Sequence, residues 1–328
     1  MADVMIRAPE RPTDLSRGQL LLIAGLALGV ILVTVALLLN AAIFTENVAT
    51  RDTTADGTEA IALRGSVVTG VGDLIERENR YGGGDVESRV EAGVDSFVME
   101  SATDIGPHPT REQAQRGAAV SVTRNGSSTS GTLLTWNPPD EDTRFDSVST
   151  NWTLVDDVTD ARAFSLTLSS DDLVSLSSPN GSQLADSAFG IQLSDSASTT
   201  TVTQYVYRDS GDVIVAQVTD DGDPEARCRI EDTGETTIDL TSDRLANGET
   251  TVRCLNGLWP SFDPDSISFV NGEAASGTFS VMVDDDSTVP ENAVNQEPAV
   301  YAVTVDIAYR TADLDFETTV RVAPGEPR

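Results

Sequence analysis

The chain has 328 residues, 53 of them Asp or Glu and 21 Lys or Arg, for a formal net charge of -32 at pH 7. Every basic residue is an arginine, because no lysine occurs. This balance excludes nucleic acid as a partner, since a polyanion would be repelled and no basic patch appears. Hydrophobic residues at 39% argue against an acidic disordered tail.

In residues 1–18, Asp3, Glu10 and Asp14 cancel Arg7, Arg11 and Arg17, so all of the net charge lies beyond Gly18. Leu20 to Phe44 then carries no charge. As a helix rising ~1.5 Å per residue, this run spans about 37 Å, enough for a hydrocarbon core of about 30 Å. A removable secretory signal has an apolar stretch of only about 7–15 residues. The following TENVATRD offers no small-residue cleavage site, so the helix is expected to stay on the chain. Three arginines precede the run and only Arg51 closely follows it. The positive-inside rule therefore places the N-terminus in the cytoplasm and residues 45–328 outside, with membrane lipid around the single span. Thr34 and Asn40 are its polar residues, and Gly25 and Gly29 form a G-x-x-x-G of low weight in so apolar a run.

Ser16-Arg17-Gly18-Gln19 set directly against this run resembles the class III signal of archaeal type IV pilins and archaellins. The resemblance implies a cytoplasmic leader, 1–18, that a membrane prepilin peptidase cuts between Gly18 and Gln19. It also implies a helix over 19–44 that first anchors the subunit and later packs against other pilin-like subunits. Ile23 stands where many pilins carry Glu, and LLLIAG stands where archaellins carry Gly-Ile-Gly-Thr. These departures point away from a major filament subunit and leave open a minor pilin, a pseudopilin, or an uncut anchor that holds a surface-binding protein permanently in the membrane. Thr45–Arg51, TENVATR, resembles a segment of haloarchaeal membrane proteins that begin in the same way. Abundant Asp without Lys is similar to haloarchaeal proteins in general. At about 1 M salt the Debye length is only ~3 Å, so a dense carboxylate surface is tolerated.

A helical stalk is expected over 45–117. Ala60, Leu63, Val67, Val71, Leu74 and Ile75 recur at three- and four-residue spacings. Gly65, Gly70 and Gly72 would be explained by close packing, and Tyr81 to Gly84 is a break. From Asp85 a second amphipathic run presents Val86, Val90, Val94, Phe97 and Val98, and a helix pair lying on a sheet would bury both faces. A third short helix is expected around 110–115. Residues 118–328 form the β-rich extracellular domain. AVSVTR and GTLLTW flank NGSSTSG as a hairpin, and YAVTVDIAYR and FETTVRV flank TADLD as a second. RAFSLTL, FGIQL, TTVTQYVY, DVIVAQV, ARCRI, TTVRCL, SISFV and GTFSVMV read as further strands. Residues 284–298 read as a long loop and 324–328 as a tail. The fold class is thus α+β: an N-terminal transmembrane, pilin-like helix followed by a mainly antiparallel β-sandwich-like ectodomain, with one or two β domains left open.

Cys228 and Cys254, both in strand-like runs outside the membrane, read as a disulfide. Asn125, Asn151 and Asn180 open N-x-S/T sequons and are the N-glycosylation candidates, Asn125 best placed in a predicted hairpin loop. The sole histidine, His108, lies between two prolines, with no G-x-S-x-G elsewhere, so no catalytic triad is expected. Asp220 to Asp223, Asp263 to Asp265 and Asp284 to Asp286 are acidic clusters read as solvated turns rather than calcium sites. Trp136, Trp152 and Trp259 are scattered and read as core. No enzyme activity, metal or cofactor is called for.

Overall fold

The computed structural model describes residues 17–96, 118–136, 144–145, 150–220, 222–254, 257–289 and 294–327, with side chains before 57 described only at 25, 26, 28, 29 and 31–35. The leader up to Ser16, Phe97, Val98, the third helix, His108 and Asp221 lie outside the described residues. The chain divides into two units, Met1–Ile61 and Ala62–Arg328.

In the first unit, the apolar run belongs to helix α1, which spans Arg17–Tyr81. The described side chains of this run are exposed, Leu26, Leu28, Ile31, Leu32 and Val33 each by 58% or more. Among the described residues, no helix is long and apolar enough to cross a membrane.

Among the described residues, the second unit takes in the C-terminal part of α1, helix α2 (Val86–Ser96) and fifteen strands. Leu63, Val67, Val71, Leu74 and Ile75 are all buried, as their spacing predicts, and so are Val86, Val90 and Val94 of α2; Ala60, of the first unit, is buried too. Burying each such aliphatic side chain contributes roughly 1.5–3 kcal/mol. The turn after Tyr81 is made by Gly82 and Gly83 at positive φ (61° and 90°), where a side chain would be strained. Arg89 of α2 then ties the two helices together, with Nε 2.9 Å from Glu78 and a bond of 2.8 Å to the Gly82 carbonyl. Gly93 lets them touch, because a Cβ there would stand 2.7 Å from Leu74 Cδ2. The packing expected at Gly65 is absent: nothing lies within 4 Å of where its Cβ would be.

The strands are β1 (Ala119–Arg124), β2 (Thr129–Trp136), β3 (Trp152–Asp156), β4 (Ala161–Ser169), β5 (Phe189–Asp195), β6 (Thr200–Asp209), β7 (Asp212–Thr219) and β8 (Glu225–Glu231). They continue with β9 (Glu235–Asp239), β10 (Arg244–Ala246), β11 (Thr251–Arg253), β12 (Ser266–Val270), β13 (Gly277–Asp284), β14 (Asn295–Arg310) and β15 (Asp315–Val322). A short helix, α3 (Gly181–Ser187), lies between β4 and β5. All strand pairings are antiparallel. The larger sheet runs β1-β14-β2-β13-β4-β9-β10-β11 with β15 also on β14, and the smaller runs β3-β12-β5-β6-β7-β8. Both sheets feed one apolar cluster. Phe164, Leu166 and Leu168 enter it from β4 at alternate positions, and Ile267 and Phe269 enter from β12. The β-rich region is therefore one compact unit rather than two.

Two expectations about the strands are corrected. AVSVTR and GTLLTW do not form a hairpin. β1 pairs with residues 305–310 of β14 and β2 with 295–302, so they run one after the other along the same long strand. The four residues between them face only two of β14, Val303 and Thr304, which makes a bulge rather than a reversal. The physical reason is that β14, at 16 residues, is long enough to satisfy both segments. The long loop at 284–298 is also shorter than expected, because Asn295 to Pro298 already belong to β14. The hairpin through TADLD forms as expected, with Arg310 opposite Asp315 and Val303 opposite Val322. DSGD gives another tight hairpin, with Ser210 and Gly211 both at positive φ, as a two-residue turn between right-twisted strands requires.

Candidate functional site

Arg17, Gly18 and Gln19, the residues of the prepilin-peptidase signal, fall in the first turn of α1, and their side chains are not among those described. Beyond them the exposed side chains from Ile31 to Val35 occupy five consecutive positions, which at about 100° per residue encircle the helix. Ile31, Leu32, Val33 and Val35 are apolar and Thr34 is polar; a helix so largely apolar around its circumference is ordinarily buried, in a protein core, among other helices or in lipid.

Cys228 and Cys254 form a disulfide, with Cα atoms 5.1 Å apart and both residues buried. Cys228 lies on β8, the last strand of the smaller sheet. Cys254 directly follows β11, the last strand of the larger. The bridge therefore staples the two sheets together at one open edge.

The three sequon asparagines are exposed and differ in what their amides do. Asn125 sits in the bulge between β1 and β2, and its Nδ2 donates to Asp306 at 3.1 Å. Asn151 accepts a bond from the backbone N–H of Asn271 at 2.8 Å. Asn180 caps α3: its Oδ1 accepts from the Gln183 N–H at 2.9 Å, and the Gln183 side chain accepts in turn from the Asn180 N–H. The acidic clusters serve as local caps. Asp220 accepts from the Thr201 N–H, Asp265 from the Ser196 N–H and hydroxyl, and Asp284 from the Thr159 N–H and the Ser287 hydroxyl. Among the described residues, no group of three or more His, Cys, Asp or Glu is placed to hold a metal ion.

Trp136 and Trp152 lie inside the core with Phe145, Phe189, Phe269 and Phe279, at ring separations of 5.1–6.3 Å. The Trp152 indole N–H donates to the Phe145 carbonyl. Trp259 is half-buried against the same cluster.

Sequence reasoning missed the polar joint that seats the last turns of α1 on the sheets. Asn79 is buried, and its amide grips both backbone groups of Val300: Nδ2 donates to the carbonyl and Oδ1 accepts from the N–H, each at 2.9 Å. Val300 stands where β14 slips register against β2, so these groups need a partner from outside the ladder. Arg162 of β4, 1% exposed, donates to the same carbonyl at 2.9 Å and to the Pro324 carbonyl at 2.5 Å. Its guanidinium lies over the Tyr301 ring, 5.2 Å from the centroid, and Arg321 approaches the same ring at 5.5 Å. Burial lowers the Arg162 pKa to about 10, and burial also pushes the Tyr301 hydroxyl well above its ordinary range. Residues 324–327 are thus no loose tail. The Gly325 carbonyl accepts from the Ala163 N–H at 2.8 Å, and Glu326 pairs with Arg321. Ala163, at φ 52°, is the kink in β4 that makes room for this contact. One signal was readable: Asn79 continues the buried face one turn beyond Ile75.

Searches against protein-family models, curated proteins and solved structures return no match.

Proposed function

We propose that this chain is a structural subunit of an archaeal type IV pilus-like surface system, of the minor-pilin or pseudopilin kind, held in the membrane by α1 with its β-rich unit outside the cell. The observation that carries the reading is the ring of exposed, mostly apolar side chains from Ile31 to Val35, Thr34 being its one polar member, on a helix that opens with Arg17-Gly18-Gln19. In a bilayer, lipid covers that ring. In an assembly, equivalent helices of neighbouring subunits replace the lipid, so one segment serves two apolar environments. A prepilin peptidase releases the leader after Gly18, and other pilin-like subunits are the partners. The disulfide and the carboxylate-rich surface agree with an oxidising, saline exterior. No catalytic role, cofactor or metal enters this reading.

Intact-mass measurement on native chain extracted from membranes tests it. A mature species beginning at Gln19, and a Gly18→Trp variant that keeps its leader, are the expected results. A native species that begins at Met1 or Ala2 overturns the pilin route and leaves a permanently anchored surface-binding protein. Recovery of the chain in the soluble fraction overturns both.

A further inference from the structure

A surface cleft of about 400 Å³ lies where the loop after β11, the start of β4 and the end of β15 converge. Its lining includes Trp259 and three prolines, Pro260, Pro264 and Pro327, together with the carboxylates of Asp160, Asp263 and Glu326. Among the described residues, Arg321 is the one cation in the lining, and it is already engaged, 3.6 Å from Asp160 and 2.5 Å from Glu326. Three carboxylates against one guanidinium leave the described lining at net -2. Asp263 is exposed and makes no ion pair among the described residues. The Asp160 carboxyl is held above its ordinary range, by burial first and then by Glu326, Asp284 and Asp263, with Arg321 opposing. The cleft therefore keeps an unneutralised negative potential beside an aromatic side chain.

We infer that this cleft receives the side chain of an arginine presented by a partner polypeptide. The fit follows from the chemistry of the walls. A guanidinium is planar and weakly hydrated, so it stacks on an indole face or a proline ring while its edge N–H groups reach carboxylates in pairs. An ammonium carries its hydration more tightly and has no flat face to stack. The aliphatic stem of an arginine would lie along the prolines. A free metal ion fits poorly, because a guanidinium already stands among the carboxylates and the Trp259 and proline side chains of the lining offer no oxygen ligands.

The test uses the full chain with 5-fluorotryptophan at its three tryptophans, the Trp259 fluorine signal being assigned by its loss in Trp259→Phe. The probe is the blocked peptide acetyl-Gly-Arg-Gly-amide, with acetyl-Gly-Lys-Gly-amide and acetyl-Gly-Gln-Gly-amide beside it. The expected result is a saturable shift of the Trp259 signal alone with the arginine peptide. The lysine peptide should bind several-fold more weakly and the glutamine peptide should not saturate. Asp263→Asn should weaken binding about tenfold, the scale of one charge-assisted contact, while Asp186→Asn on α3 should leave it unchanged. No saturable shift, an equal response to the glutamine peptide, or an equal loss in both Asn variants would overturn the inference. The last of these would mark general attraction to an acidic surface.

Discussion

Replacing Asn79 with alanine isolates the polar joint between α1 and β14. The Val300 N–H has Asn79 Oδ1 as its partner at 2.9 Å, in a buried position, so the substitution strands a backbone donor. That costs about 1–3 kcal/mol. The Val300 carbonyl keeps its bond from Arg162 and loses only the one from Asn79, a further loss of about 0.5–1.5 kcal/mol. The sum, roughly 1.5–4.5 kcal/mol, should appear in a urea melt of the detergent-solubilised chain, followed by circular dichroism, as a lower midpoint at unchanged slope. Asn79→Leu restores volume and apolar burial without either bond, and it should be destabilised to a similar degree. An Asn79→Ala chain within about 0.5 kcal/mol of wild type, or a Leu variant that recovers wild-type stability, would show that packing rather than the amide seats this helix.

Reducing the Cys228–Cys254 bridge, or replacing both cysteines with serine, should lower stability by about 3.5 kcal/mol, since the bond closes a loop across 26 positions; melts with and without reductant measure this. Gly277→Ala would place a Cβ 2.0 Å from the Thr167 carbonyl oxygen at φ +151°, and a loss of roughly 3 kcal/mol is expected in the same melt. The Ser170 hydroxyl holds the Asp232 carboxyl below its ordinary range, with the Gly234 N–H and Arg208 adding to this against burial. A carboxyl depressed by folding contributes stability in full above its unfolded value near pH ~4, and that contribution is lost as pH falls through the folded value. Asp232→Asn should therefore flatten the acid side of a stability–pH profile and lower the plateau at neutral pH. An unchanged acid limb would show that Asp232 contributes no such linkage.

The local physics of this chain was legible from residue order alone. The buried faces of α1 and α2 follow from apolar residues three and four positions apart, because a helix repeats every 3.6 residues whatever it packs against. β4 and β12 follow from alternation in RAFSLTL and SISFV, because a strand repeats every two, while β6 and β7 follow from short β-branched and aromatic runs in TTVTQYVY and DVIVAQV that are buried on both faces. The cysteines could be paired because they were the only two.

What residue order left open were the long-range choices. NGSSTSG has the composition of a hairpin turn, yet it became a bulge, because β14 offered a single partner long enough for both flanking strands. β3, β9 and β10 were not singled out in the sequence; each is five residues or fewer, and their places came from neighbours already set in the sheets. PGEPR looked like a free end until the fold left Arg162 buried beside it with carbonyls to satisfy. Periodicity is a property of the backbone and can be read along the chain. Pairing, and the satisfaction of buried polar groups, depend on which distant residues arrive at the same place, and only the folded chain decides that.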